Sequence, residues 1–274
     1  MISPSFPNGA TTVIGIVGDP IAQVKSPAGM TEGLTARRLN AVVVPFHVHK
    51  ETLAPFVASL SLAKNVAGLI ATIPHKFAFY DLCTSASPRS ALLHTVNVLR
   101  RHDDGTWYGD LFDGEGFVVS LIRGGCSPAG KRALLVGAGG AGAAIALALL
   151  EAGISALAIH DWDIARQDTL LNRLAETANG RLRTGNADPT GFDIVINATP
   201  SGMRAGDPLP VDVARLSPEA YAADVITAPV ETAFLRAAMA RGCKIRTGVD
   251  MFNGVCELML DFYTPTIKTT LGEM

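Results

Sequence analysis

The chain has 274 residues, 48% of them hydrophobic and 18% charged, which supplies apolar material for two cores and excludes a disordered chain. Its 23 Lys and Arg against 25 Asp and Glu give a net charge of −2 without a dense basic patch, which argues against nucleic acid and for small-molecule partners. Cys83, Cys126, Cys243 and Cys256 show no C-x-x-C spacing, as expected of free thiols in a reducing compartment. The start, MISPSFPNGATT, lacks the basic region and apolar block of a signal peptide, so a cytoplasmic location is expected. Residues 133–150 run 18 positions without a charge, the nominal length of a membrane span. Four clustered glycines there favour a strand, a tight turn and a helix instead, so no membrane partner is expected. A homodimer is admitted by the sequence without being specified.

Short β-branched blocks at 11–18 (TTVIGIVG), 41–48 (AVVVPFHV) and 67–73 (AGLIATI) read as buried strands. Helices are predicted between them over 27–39 and 52–62, the first with Ser26 as N-cap and Pro27 at its first position. The alternation implies a parallel sheet covered by helices. It restarts after Gly109, with helices at 113–122, 141–151, 163–178 and 231–240 and strands at 131–136, 155–160, 193–197 and 222–226. A last helix, 249–263, has no strand after it and is expected to return to the first unit. The fold class is therefore α/β in two domains, residues 1–112 with 248–274 and residues 113–247.

Gly137-Ala138-Gly139-Gly140-Ala141-Gly142 forms a G-x-G-x-x-G motif directly after the strand KRALLV and at a helix start. The first glycine permits the tight turn, the second lets the backbone approach a pyrophosphate, and the third lets helix pack on strand. Asp161 ends the next strand, 24 residues after Gly137. A carboxylate there can accept hydrogen bonds from the adenosine ribose and repels a 2′-phosphate, so NAD is expected over NADP.

Other distinctive segments sit at strand ends, where ligands of open α/β sheets gather. They are Gly18-Asp19-Pro20-Ile21 with Lys25-Ser26-Pro27, Thr72-Ile73-Pro74-His75-Lys76, Thr95-Val96-Asn97, Asp113-Gly114, and Asn197-Ala198-Thr199-Pro200. In this order they resemble the shikimate dehydrogenase family from Val17 to about Met259. The resemblance implies a Rossmann NAD(P)-binding domain beside a smaller α/β substrate-binding domain with a parallel-rich sheet. It places the family's catalytic lysine at Lys76 and its acidic partner at Asp113. It implies substrate contacts at Ser26, Thr72, Asn97 and Thr227, and cofactor contacts at Gly137, Ala138, Gly139, Gly140, Ala141, Asp161, Thr199, Val225 and Gly248. The implied reaction moves a hydride between a secondary alcohol of a cyclic hydroxy acid and the cofactor, while lysine and carboxylate handle the hydroxyl proton.

The chain departs from that pattern on the substrate side. Val24 stands for a family serine, Ile70 for an asparagine, Thr227 for a tyrosine and Val255 for a glutamine, and His160-Asp161-Trp162 replaces the segment that grips a 2′-phosphate. These changes remove partners for substrate hydroxyls, which implies a less polar or differently substituted ring acid than shikimate. His47 and His49 share a strand face, but no third ligand is spaced to join them, so no metal is expected.

Overall fold

The computed structural model describes residues 7–267. The first six residues of the expected leaderless start and residues 268–274 of the expected terminal segment lie outside the described residues. The chain divides into two compact units, one ending at Phe112 and resuming at Cys256, the other Asp113–Val255.

In the first unit β1 (Thr12–Gly18), α1 (Ser26–Ala36), β2 (Ala41–His47), α2 (Leu53–Ser61) and β3 (Val66–Ala71) follow one another. Parallel pairing of β1 with β2 and β3 matches the alternation of apolar blocks. One detail is corrected: the cap of α1 is Lys25, and Ser26 is its first helical residue without a side-chain cap. The Lys25 carbonyl already accepts from Gly29 N–H at 3.1 Å. Pro27 has no N–H to leave unpaired, so the first turn can begin one residue early.

Residues 76–112, unassigned by periodicity, hold α3 (Lys76–Asp81), β4 (Ser85–Ala86), α4 (Pro88–Leu93), β5 (Val98–Arg101) and β6 (Trp107–Asp110). The sheet runs β2-β1-β3-β5-β6-β4, with β5 antiparallel to both neighbours. A tight turn reverses the chain between β5 and β6, with Gly105 at φ +88° and Asp104 Oδ1 accepting from the Thr106 N–H and hydroxyl. Val17, Leu53, Val57, Leu69, Phe79, Leu99 and Trp107 fill the core. Tyr263 is also buried, its hydroxyl donating to the Leu69 carbonyl at 2.9 Å, and Gly68 leaves the room its ring occupies.

The second unit contains α5 (Asp113–Arg123), β7 (Arg132–Val136), α6 (Gly140–Glu151), β8 (Ala156–His160), α7 (Ile164–Ala178), β9 (Leu182–Thr184), β10 (Ile194–Asn197), β11 (Tyr221–Asp224), α8 (Ala233–Ala240) and β12 (Lys244–Arg246). It also contains the start of α9 (Gly248–Tyr263), within which the division after Val255 falls. Its six strands are all parallel, in the order β12-β11-β10-β7-β8-β9. The order reverses between β7 and β10, which opens a crevice at their carboxyl ends. The charge-free run at 133–150 is the buried β7 with α6, whose Ala143–Leu147 segment is buried throughout. Among the described residues no helix is long and apolar enough to cross a membrane.

Candidate active site

At the crevice of the second unit, Gly137 turns the chain out of β7 with φ +109°. Gly139 caps α6, and a side chain added there would point into open space. Gly140 and Ala141 open the helix, while a Cβ at Gly142 would run into the Gly137 carbonyl. The three motif glycines therefore take the turn, the open approach and the close packing that a dinucleotide cradle requires. Asp161 is buried beside this loop: Oδ2 accepts from Ala138 N–H at 2.6 Å and Oδ1 from Asp163 N–H at 2.9 Å. Its own N–H donates to Oε1 of the buried Gln167 at 3.0 Å, which fixes the end of β8. The residues present fit a dinucleotide cofactor.

Across the switch point, Thr199 and Val225 are joined through Asn197. The Thr199 hydroxyl donates to Asn197 Oδ1 at 2.7 Å, and Val225 N–H donates to the Asn197 carbonyl at 3.1 Å. The amide of Asn197 in turn donates to Asp224 Oδ2 at 3.2 Å, as Thr232 Oγ1 does at 2.8 Å. Burial pushes the Asp224 carboxyl up to about 6, against the hydrogen bonds from Ile226 N–H, Thr232 and Asn197. Sequence reading passed over this network, although Asn197 and Asp224 both end strands. Gly248 opens α9 so close to the Ile226 carbonyl that a Cβ would overlap it, and Thr227 lies half-buried in the loop between β11 and α8.

In the first unit, the turn after β3 sets Lys76. Thr72 N–H donates to the Val17 carbonyl at 3.0 Å, and the Thr72 carbonyl accepts from His75 N–H at 2.8 Å, making Lys76 the first residue of α3. The Lys76 carbonyl accepts from Val96 N–H at 3.1 Å, which brings the segment before β5 alongside. There Asn97 is buried, its backbone bonded to Ala71 and Asp110 on either side. Its Oδ1 accepts from Phe112 N–H at 3.0 Å, and its Nδ2 is buried without a partner. Asp113 follows Phe112 as the buried first residue of α5, in the second unit. Ser26 is buried at the start of α1.

Asp110, at the end of β6, has no role implied by its strand-end position alone. It accepts from Ser87 Oγ at 2.6 Å and from Arg89 Nε at 2.8 Å. Burial raises its carboxyl, and the bonds from Arg89, Ser87 and Leu111 N–H outweigh that, holding it below the ordinary value. The expectation that no third group joins His47 and His49 is corrected. Asp19 meets both, 2.7 Å from His47 Nε2 and 2.9 Å from His49 Nδ1.

A family profile for the shikimate dehydrogenase substrate binding domain matches residues 16–99. The chain is 34% identical over 263 residues to a shikimate dehydrogenase (NADP(+)) of Geobacter metallireducens, covering 92% of this chain and 91% of that protein. The chain belongs to the shikimate dehydrogenase family. A shikimate dehydrogenase (NADP(+)) of Rubrobacter xylanophilus is 37% identical over 241 residues, 86% of this chain and 84% of the relative. Among crystal structures, shikimate 5-dehydrogenase from Listeria monocytogenes with shikimate and NAD superposes with TM-score 0.85 at 25% identity, over 94% and 93% of the two chains. The ligand-free 5-ketofructose reductase of Gluconobacter sp. strain CHM43 superposes with TM-score 0.83 at 30% identity, over 94% of each. Shikimate dehydrogenase relatives thus span both units, and the two-domain α/β architecture is the family's.

Proposed function

We propose that this protein interconverts a secondary alcohol and its ketone on a cyclic hydroxy acid, with NAD preferred over NADP. As a family member it is an NAD(P)-dependent dehydrogenase acting on a CH–OH group, and the ring acid and the cofactor preference are the finer reading. When bound, the nicotinamide supplies the hydride acceptor. Gly137, Ala138, Gly139, Gly140 and Ala141 would hold its pyrophosphate, Asp161 its ribose, and Thr199, Val225 and Gly248 its remaining length. Lys76 and its acidic partner Asp113 take the proton-transfer roles that the family resemblance assigns them, and Ser26, Thr72, Asn97 and Thr227 take the substrate-binding roles.

The observation that carries the reading is Asn97. A buried amide donor without a partner costs about 1–3 kcal/mol, and a substrate oxygen would recover it. Phe112 N–H holds the other end of the amide, so the open donor has one orientation. Ile70 and Val255 are buried and Val24 half-buried, so three positions that carry polar groups in the family are aliphatic. That favours a less polar or differently substituted ring acid than shikimate. The four cysteines are free thiols, which fits a cytoplasmic enzyme.

The test is a panel of ring hydroxy acids, with ketosugars included because a 5-ketofructose reductase shares the fold, assayed with NAD and with NADP. Turnover on a ring acid that is lost in Lys76→Ala supports the reading. Saturable binding without turnover would point to a ligand sensor and overturn it.

A further inference from the structure

We propose that Asp19, His47 and His49 form a three-donor site for a divalent transition-metal ion of the zinc class. The site is independent of the dehydrogenase reading. The three residues meet because β1 and β2 pair in parallel with Gly18 opposite His47, so Asp19 leaves its strand level with the residues leaving β2. His47 and His49 stand two apart and flank Val48, the spacing that sends alternate side chains to one face. One ligand atom from each of the three lies within 4.8 Å of the other two, the one such cluster of His, Cys, Asp or Glu among the described residues.

The backbone beneath these side chains is anchored from both sides. Asp19 N–H donates to the Ile73 carbonyl at 3.0 Å, and Val48 N–H donates to the Gly18 carbonyl at 3.2 Å. The buried His75 donates from Nε2 to the Val48 carbonyl at 2.7 Å, which fixes the residue between the two histidines. The side chains themselves keep freedom to adjust, being 53% exposed for His47, 71% for His49 and 32% for Asp19.

Donor chemistry selects the class of ion. Two imidazoles and a carboxylate suit zinc, cobalt or nickel, whereas calcium and magnesium take oxygen ligands. Metal–ligand lengths of about 2.0–2.1 Å set tetrahedral donors roughly 3.3 Å apart. His47 Nε2 meets Asp19 Oδ1 at 2.7 Å and His49 Nδ1 meets the other oxygen, Oδ2, at 2.9 Å, so bringing one oxygen and both nitrogens from within 4.8 Å of one another onto an ion takes rotations of these exposed side chains. Further coordination positions would face water. As ion pairs alone, contacts this exposed are screened by water and add little, so stability does not explain two imidazoles converging on one carboxylate. Asp19 also begins the segment 19–25 that leads into Ser26, so an ion would tether that segment to the end of β2.

The experiment titrates the tag-free, full-length protein with zinc by calorimetry and with cobalt by visible absorption. Expected is one ion per chain, a cobalt spectrum of low coordination number, and a higher thermal midpoint with zinc. His47→Ala, His49→Ala and Asp19→Asn should each weaken binding at least about tenfold. His102→Ala, at an exposed histidine elsewhere, should leave it unchanged. Metal-free thermal midpoints of the variants report whether they fold. Zinc binding that is absent, or that survives all three substitutions in folded protein, would overturn the proposal.

Discussion

The carboxylate of Asp161 accepts a 2.6 Å hydrogen bond from the backbone N–H of Ala138, tying the acidic end of β8 to the glycine loop after β7. The side chain that would receive the ribose hydroxyls thus also holds the loop that would receive the pyrophosphate. Asp161→Asn keeps one acceptor for the loop and removes the charge. NAD should then bind about ten- to a hundredfold more weakly, the scale of hydrogen bonds to a charged group, while NADP loses less. Trp162, the exposed one of the two tryptophans, adjoins Asp161 and gives a fluorescence readout. Equal or tighter binding of NADP by the unmodified protein would reduce Asp161 to a loop fastener.

Lys76→Ala is expected to lower kcat by about 10²–10⁴-fold, the usual contribution of a positioned proton-transfer group. Lys76 belongs to the unit that lacks the glycine loop, so the Kd for NAD should stay within about twofold. Stopped-flow turnover together with the tryptophan titration separates the two effects. A variant that loses cofactor affinity in step with kcat would place Lys76 outside the proton-transfer role.

Legibility of this fold in the sequence followed the strength of the local signal. Strands such as β1 and β7 are five to seven residues long and apolar, and glycine punctuation marks their ends. The edge strands β9 and β12 have three residues each, and pairing with β8 and β11 rather than composition makes them strands. β5 and β6 have four residues and run antiparallel about a tight turn, which an expectation of continued βα alternation passes over. At the site, Lys76, Asn97 and Asp161 could be found because each sits in a motif. Asp19 could not be joined to His49 that way, since 30 residues separate them and only the register of β1 on β2 closes the gap.

Asn97 carries two separable duties, and substitution should divide them. Asn97→Ala removes the acceptor of Phe112 N–H, a buried bond whose loss costs about 1–3 kcal/mol of stability. It also removes the unpartnered donor that would meet a substrate oxygen. KM for the ring acid is expected to rise at least about tenfold, the value of one such bond, with NAD affinity unchanged. Steady-state kinetics beside a urea titration measures both. A variant with lowered stability and an unaltered KM would leave Asn97 with the structural duty alone.

The pH dependence of stability should carry the mark of Asp224. Burial raises its carboxyl to about 6 in the folded protein, whereas an unfolded chain titrates near 3.8. The folded state therefore holds this proton more tightly than the unfolded state. Its favourable contribution is complete below about pH 4, falls as pH rises toward 6, and is lost above that. The gap corresponds to a change on the order of 3 kcal/mol across the window. Asp110 and Asp193, held below the ordinary value, act in the opposite sense at lower pH, so the profile of the unmodified protein mixes several groups. Comparison with Asp224→Asn isolates one. The variant turns an amide N–H toward the Asn197 and Thr232 donors and should be less stable overall, but it has no proton to lose. Thermal midpoints taken from pH 4 to 7 should show the unmodified protein falling relative to the variant between pH 4 and 6. Parallel curves over that window would mean that Asp224 stays ionised in the fold, held by the hydrogen bonds from Ile226, Thr232 and Asn197.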